Sequence, residues 1–407
     1  MKTKSLVAGM AAWAAALSTG GAALAQTAGG DISDAIAGGK LILELRPRYE
    51  QVDQGNFTKE ANAFTLRTHL GWETASWNNI KGLVEFEDIR HAGTVRYNSG
   101  INGKTTYPTV ADPDVTELNR LQLTWSPTSD LSAIVGRQRI TLDDQRFIGN
   151  VGWRQDEQTY DAVKLDGTWG KLKASYAYLG KINRTAGQSA DWDSKSHLFN
   201  VGYTLSEALK AQGYVYALDL KQAPASSTLT EGVRVTGQTW VSLFKITYMG
   251  GFADQKPYGI NPASFDLKYW TGEVAGTYDI YTAKLNYESL GGDGKRGFAT
   301  PLATLHVFQG WADAFLTTPT KGIEDVNFSI IANPRFKLDY LFNIQLLARR
   351  HAFRTAQDGT GLGGEWDASA QASITAKLVG LVKYADYSGA AGFPARRKLW
   401  LQLDYNF

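Results

Sequence analysis

Cysteine is absent from all 407 residues, which excludes disulfide scaffolds, thiolate catalysis and cysteine-ligated zinc. Charge of one sign is nearly absent too, with 42 Lys and Arg against 40 Asp and Glu. Two of the cations, Lys2 and Lys4, lie in a leader, so without it the chain carries 40 of each, a poor composition for binding nucleic acid. Long apolar runs are also missing beyond Ala25, because charges or amides recur every few positions. No helix built from such segments would span a bilayer, which needs about 20 apolar residues. Pro/Ser linkers, charge blocks and low-complexity tracts are lacking, so no domain boundary is visible. What the chain does hold is 42 Gly and a heavy aromatic content of 12 Trp, 19 Tyr and 17 Phe, which argues against disorder.

Residues 1–25 combine Lys2 and Lys4, an apolar stretch from Leu6 to Leu17, and small residues at Ala23 and Ala25. That pattern predicts a secretory signal cut after Ala25. Residues 26–39 would then be a short periplasmic segment, and 40–407 the folded body.

The body alternates. Leu41, Leu43, Leu45, Pro47 and Tyr49 share one parity, and Glu44, Arg46, Arg48 and Glu50 the other. Phe64, Leu66, Leu70 and Trp72 oppose Thr65, Arg67, His69 and Glu73; Asn119, Leu121, Leu123 and Trp125 oppose Arg120, Gln122 and Thr124. Ile134, Ile140 and Leu142 oppose Arg137 and Arg139, and Phe199, Val201, Tyr203 and Leu205 oppose Asn200, Gly202 and Thr204. Strands of about 9 to 11 residues with one apolar and one polar face are what a membrane-spanning barrel requires. A one-residue slip would turn every charge toward lipid, so register is firmly set.

Counting such segments predicts strands near 40–52, 63–74, 80–91, 116–126, 133–142, 158–166, 171–182, 196–205, 209–220, 232–241, 244–255, 266–278, 281–290, 323–332, 337–349, 365–376, 379–388 and 398–407. This is an all-β fold, a transmembrane antiparallel up-and-down β-barrel of about 18 strands, or 16 if the weakest segments are dropped. Connections alternate short and long, as periplasmic turns and outer loops do. Trp72, Trp77, Trp125, Trp169, Tyr278 and Tyr281 fall at the short-turn end, where an interfacial girdle belongs. The chain stops on Leu399, Leu401, Leu403, Tyr405 and Phe407 in alternation. That ending resembles the closing-strand signal read by the outer-membrane assembly machinery.

Chemical motifs are weak. The five His residues form no metal-ligand spacing, no Gly-x-Ser-x-Gly elbow occurs, and Gly292-x-Gly294-x-x-Gly297 lacks the βαβ setting of a dinucleotide site. No cofactor is expected. Asp143 with Asp144, or Asp191 with Asp193, are acid pairs that either hold calcium or simply stay solvated. A barrel-embedded hydrolase would need a His beside a Ser on the lipid face, with His69 and His197 as the strand-centred candidates. The abundant chemistry is arginine: ten of 19 lie between 40 and 160. Arg46, Arg48, Arg67, Arg120, Arg137 and Arg139 would form a basic lumenal wall that attracts anions, unless Glu44, Glu50, Glu73, Glu85 and Glu87 neutralise it. Phe147, Ile148 and Trp153 would have little use in a solvated loop, so the loop after the fifth strand is expected to fold into the lumen, with Arg146 and Arg154 facing Arg137 and Arg139.

Gly136-Arg-Gln-Arg-Ile140, Leu142-Asp-Asp-Gln-Arg-Phe-Ile-Gly-Asn150, Gly152-Trp-Arg-Gln-Asp-Glu-Gln158 and Tyr160-Asp-Ala162 resemble the signature block of the alginate export family of outer-membrane porins. Thr300-Pro-Leu-Ala-Thr-Leu-His306, Gln309-Gly-Trp-Ala-Asp313 and Gly322-Ile-Glu-Asp325 resemble its second block. The resemblance implies a monomeric 18-stranded barrel with an electropositive pore through which an anionic uronate polysaccharide leaves passively; whether periplasmic export partners dock on the short turns is left open by the sequence. Relatives also include general or carboxylate-selective uptake porins. It marks Arg137, Arg139, Asp143, Asp144, Arg146, Arg154 and Glu157 as residues that either line the pore or tie the loop to its wall.

Overall fold

The computed structural model describes residues 31–335 and 340–407; the expected export signal lies outside them. A short helix, α1 (Ile32–Ala37), begins with a reciprocal cap between Asp31 and Asp34 and precedes the first strand. Eighteen strands follow among the described residues: β1 (Lys40–Gln54), β2 (Ala61–Glu73), β3 (Ile80–His91), β4 (Val115–Thr128), β5 (Leu131–Gln138), β6 (Thr159–Trp169), β7 (Leu172–Asn183), β8 (Trp192–Ser206) and β9 (Leu209–Ala217). The second half comprises β10 (Thr228–Val241), β11 (Phe244–Pro257), β12 (Leu267–Tyr278), β13 (Tyr281–Leu290), β14 (Ile323–Ala332), β15 (Phe342–Arg354), β16 (Gly361–Ser373), β17 (Leu378–Tyr387) and β18 (Arg396–Asn406). Each pairs antiparallel with its sequence neighbours, and β18 pairs with β1, Leu401 opposite Tyr49, so the sheet closes. Every strand expected from alternation has its counterpart, the start of the one expected at 337–349 lying outside the described residues.

The faces follow from hydrophobicity. Leu70, Leu121, Leu123, Trp125, Phe199, Val201, Leu401 and Leu403 are exposed on the outside, where lipid covers them, while Glu44, Arg48, Arg67 and Glu85 point inward and are shielded. Trp125, Trp169, Tyr278 and Tyr281 lie exposed at the short-turn end, as an interfacial girdle does.

Two local departures change the reading of the wall. Between β3 and β4, Glu85 pairs with Arg120 but Phe86 pairs with Leu118, leaving Asn119 as a bulge. Asn119, expected outward, therefore points inward and donates to Glu85 and Glu157. In β5 the lipid-facing parity is that of Leu131 and Val135, not of Ile134. Arg137 pairs with Leu121 of β4, itself lipid-facing, and with Asp161 of β6. Arg137 thus sits on the outer face near the rim, bonded to Asp161 at 2.7 Å, which corrects its expected lumenal position. The strand ends at Gln138, earlier than expected, and Ile140 and Leu142 turn into the barrel's interior core. Within β5, Gly136 has a φ of 113°, open to glycine, and a side chain there would strike the carbonyl of Leu121.

Candidate functional site

Two outer connections, 139–158 and 291–322, fold back into the barrel and lock together. Ile148 and Leu302 form a β-bridge. The amide of Gly149 donates to the carbonyl of Leu302 at 2.8 Å, that of Thr304 to Gln145 at 3.1 Å, and that of Val151 to the Thr304 hydroxyl at 3.2 Å. Apolar side chains hold this plug against the wall. Phe147 inserts among Tyr214, Tyr216, Tyr269 and Phe298, with ring centroids 5.2 to 6.2 Å away. Trp153 stacks on His306 at 4.4 Å and meets Trp400 edge-on at 5.7 Å. The anchoring of the loop by Phe147 and Trp153 is thus as the sequence implied. The participation of the second connection was not anticipated.

The arginines are largely fasteners of this plug. Arg154 donates to Glu50 of β1 at 3.1 Å and lies 3.8 Å from Asp112. Arg146, fully buried, crosses to the opposite wall, donating through Nε to Glu288 of β13 at 2.6 Å and through Nη2 to Gln309 at 3.1 Å. Neither faces Arg137 and Arg139 across a gap, so the expected four-arginine constriction is not formed. Arg139 donates to Glu157 and lies within 3.3 Å of Glu85 and 3.4 Å of His69. His69, Glu85 and Glu157 have the spacing of a metal triad, but the Arg139 guanidinium already sits among them. Arg120 forks onto both oxygens of Glu85 at 2.5 and 2.7 Å, the bidentate geometry that favours arginine. Arg46 pairs with Asp404 at 2.6 Å and donates to the carbonyl of Gly152; Arg48 donates to Gln402 and lies over Trp153; Arg67 lies 3.5 Å from Glu44. Asp143 accepts from Asn200 and Gln212, and Asp144 pairs with Arg234 at 3.1 Å.

Electrostatics inside the plug agree with its pairing. Burial would push the Glu157 carboxyl up, but Arg139, His69, Arg120 and Arg67 together hold it down at about 2. Burial lowers His306 to about 3 against the pull of Asp313. A neutral ring fits both of its bonds, with Nδ1 donating to Asp313 at 2.7 Å and Nε2 accepting from Lys383 at 2.7 Å. Asp313 lies well below the ordinary carboxylate range: burial opposes this, but His306, Lys398 and Arg154 overcome it.

Between the plug and the β10 to β17 wall some space stays open. A cavity of about 610 Å³ is bordered by Arg234, Lys284, Arg349 and Lys383 from β10, β13, β15 and β17. Asp143, Asp144, Glu273, Glu288 and Asp325 add acids, and Trp153, Phe308, Trp311 and Met249 add apolar surface. Most of these acids are engaged: Asp144 by Arg234, Glu273 by Lys284 at 3.0 Å, Glu288 by Arg146 and Asp325 by His351.

A sequence model described as alginate export matches residues 40–266. The chain belongs to the alginate export family. That match holds the first signature block, while the second block, 300–325, falls beyond it. No curated protein sequence matches the chain. Among solved structures, OccAB4 of Acinetobacter baumannii is similar with a TM-score of 0.72 at 12% identity, over 91% of this chain and 98% of that one. The BenF-like porin of Pseudomonas fluorescens Pf-5 gives 0.69 at 12% over 92% and 100%, and Pseudomonas aeruginosa OpdK with vanillate 0.68 at 10% over 90% and 98%. Family and fold together make the protein an outer-membrane β-barrel channel.

Both histidines considered for a hydrolase are engaged by other groups. His69 is held by Glu44 and Glu87, and His197, on the outer face, by the Tyr176 hydroxyl at 2.9 Å. The cavity cations Arg234, Lys284, Arg349 and Lys383 went unselected in the sequence. They are scattered over 150 residues on β10, β13, β15 and β17, and only their inward parity links them.

Proposed function

We propose that this member of the alginate export family passes small anionic solutes bearing carboxylates, taken along the β10 to β17 wall rather than through the arginine-rich β1 to β5 side. The observation that carries this reading is Lys383. It borders the cavity, contacts no carboxylate within ion-pair distance among the described residues, and is held instead by His306 and by the indole faces of Trp311 at 3.7 Å and Trp153 at 4.0 Å. An ammonium so placed gains most from an anion supplied by the solute. The cavity's size suits a small ligand better than a polymer strand. The fold-mate OpdK holding vanillate, an aromatic carboxylate, supports that size and charge class.

A second reading, passage of uronate saccharides, is favoured by the family, because a uronate carries the same carboxylate. In both readings the closing strand is the substrate of the assembly machinery, and export would add periplasmic partners at the short turns.

Planar-bilayer recording tests the proposal. Reversal potentials in a salt gradient should favour anions, weakening as salt rises because charges are screened over about 8 Å at physiological ionic strength. Lys383→Gln should reduce both the preference and conductance block by vanillate or galacturonate. A cation-selective wild-type channel would mean that the lumenal acids dominate and would overturn the reading.

A further inference from the structure

Outward-facing positions of a transmembrane barrel meet hydrocarbon or headgroups, so a guanidinium there needs partners that lipid tails do not provide. Arg350 is such a group. Its register places it between Phe328 of β14 and Trp366 of β16, both exposed on the outer face. Its side chain folds over Gly364, where an added Cβ would collide with both Nη atoms, and Nη1 donates to the carbonyls of His351 at 2.5 Å and Glu365 at 3.0 Å. Those two bonds use a minority of its five N–H donors. Its guanidinium also lies 5.5 Å from the Trp366 ring centroid, but no carboxylate pairs with it among the described residues, unlike Arg354 two pleat repeats above, which donates to Glu324 at 2.5 Å, or Arg397, which donates to Asp53.

Position decides what the missing anion is. Arg350 lies four residues from the outer end of β15, and Ala352 between Arg350 and Arg354 leaves only a methyl group. With Gly364 opposite Ala352 on β16, little side-chain bulk stands on the outer face between the two guanidinium groups. Near the outer end of a membrane-spanning barrel, the anions that meet the lipid-facing wall are lipid phosphates of the outer leaflet.

We infer that the patch formed by Arg350, Ala352, Arg354 and Gly364 seats a phosphate of an outer-leaflet glycolipid, the acylated and phosphorylated glucosamine disaccharide of that leaflet. Its acyl chains run down past Phe328 and Trp366. The phosphate accepts from the unused donors of Arg350, and Gly364 keeps the guanidinium in place to give them.

The test uses the full-length barrel, delipidated, confirmed as assembled by heat-modifiable migration, and incubated separately with bisphosphorylated lipid A, its dephosphorylated form, or phosphatidylglycerol. Native mass spectrometry counts the retained lipid. Wild type should hold one bisphosphorylated lipid A at least tenfold better than the dephosphorylated form and better than phosphatidylglycerol. Arg350→Gln should lower that retention at least tenfold, Gly364→Ala should lower it by displacing the guanidinium, and Arg397→Gln should leave it unchanged. Equal retention by Arg350→Gln and wild type, or equal retention of phosphorylated and dephosphorylated lipid, would overturn the inference. Preference for phosphatidylglycerol over lipid A would do the same.

Discussion

Arg146 is the fastener whose removal should be most visible. It is almost wholly buried, and its partner Glu288 is 4% exposed on β13. Arg146→Met keeps the reach of the side chain but leaves Glu288 with only the Tyr269 hydroxyl and the Gln309 amide as donors. Breaking a buried ion pair from one side costs about 3 to 5 kcal/mol, because a charge stays behind without its countercharge. At about 1.4 kcal/mol per tenfold, the plug's undocked state should become about a hundredfold to several thousandfold more populated. The barrel itself, held by the closed ladder of strands, should still assemble. In single-channel records this appears as bursts at a larger conductance level, rare in wild type and frequent in the variant. Arg146→Met with Glu288→Gln removes the stranded charge, so the double variant should return most of the way to the wild-type record. If Arg146→Met shows the large level no more than threefold as often as wild type, while remaining heat-modifiable, the plug does not depend on this pair and the reasoning fails.

Other outcomes follow from the same packing. Phe147→Ala empties a nest of four aromatic rings; deletions of this kind cost about 3 to 5 kcal/mol in cores, so current noise should rise, and Phe147→Leu should rise less. Acid should release the plug in two stages. His306, held near 3 and facing Asp313, Lys383 and Arg154, is lower than an unfolded histidine near 6.5, so its contribution begins to fall as pH drops below about 6.5. Glu157, held near 2, contributes fully above its unfolded value of about 4.5 and loses that contribution progressively as pH falls from there to about 2. Conductance steps recorded from pH 7 to pH 3 should therefore become unsteady from mild acidity onward, and His306→Gln should delay the onset; an unchanged onset in that variant would remove His306 from the account. Arg137→Ala, at the outer rim, should leave anion preference within twofold of wild type, whereas Arg139→Ala should disturb the plug through Glu157; equal effects of the two in bilayers would contradict their assignment to opposite faces. Unboiled wild-type protein should migrate differently from boiled protein in detergent gels, and identical migration would refute the closed barrel.

The strands were legible because period-two alternation is a local signal and lipid enforces it: Leu41 to Glu50 or Leu399 to Asn406 can be read in isolation. The inward loop was legible for a related reason, since Phe147 and Trp153 are costly to leave in water. What failed was the face of two side chains. The bulge at Asn119 inverts a side chain's face without altering composition, so Asn119 was assigned to lipid; in β5, Ile134 and Val135 stand side by side and offer an apolar residue on either parity, so Arg137 was assigned to the lumen although it shares the outward parity of Leu131 and Val135. Partners were also hidden. Arg146 meets Glu288, 142 residues away, and Arg46 meets Asp404, 358 residues away, so neither pairing is visible without closing the barrel. The sequence therefore revealed which arginines were unusual, but not that they clamp a plug.

The division of the interior has a consequence for how such channels diversify. The family match, 40–266, spans β1 to β11 and the first plug loop with most of its clamps, whereas Lys284, Arg349 and Lys383 stand on β13, β15 and β17, past its end. The division is not complete, since Arg146 reaches Glu288 and Trp153 packs on His306 and Trp400, all past that end. Most of the cavity's cations nevertheless stand outside the matched stretch, so kinship recognised through the first half says little about the cargo of any one member.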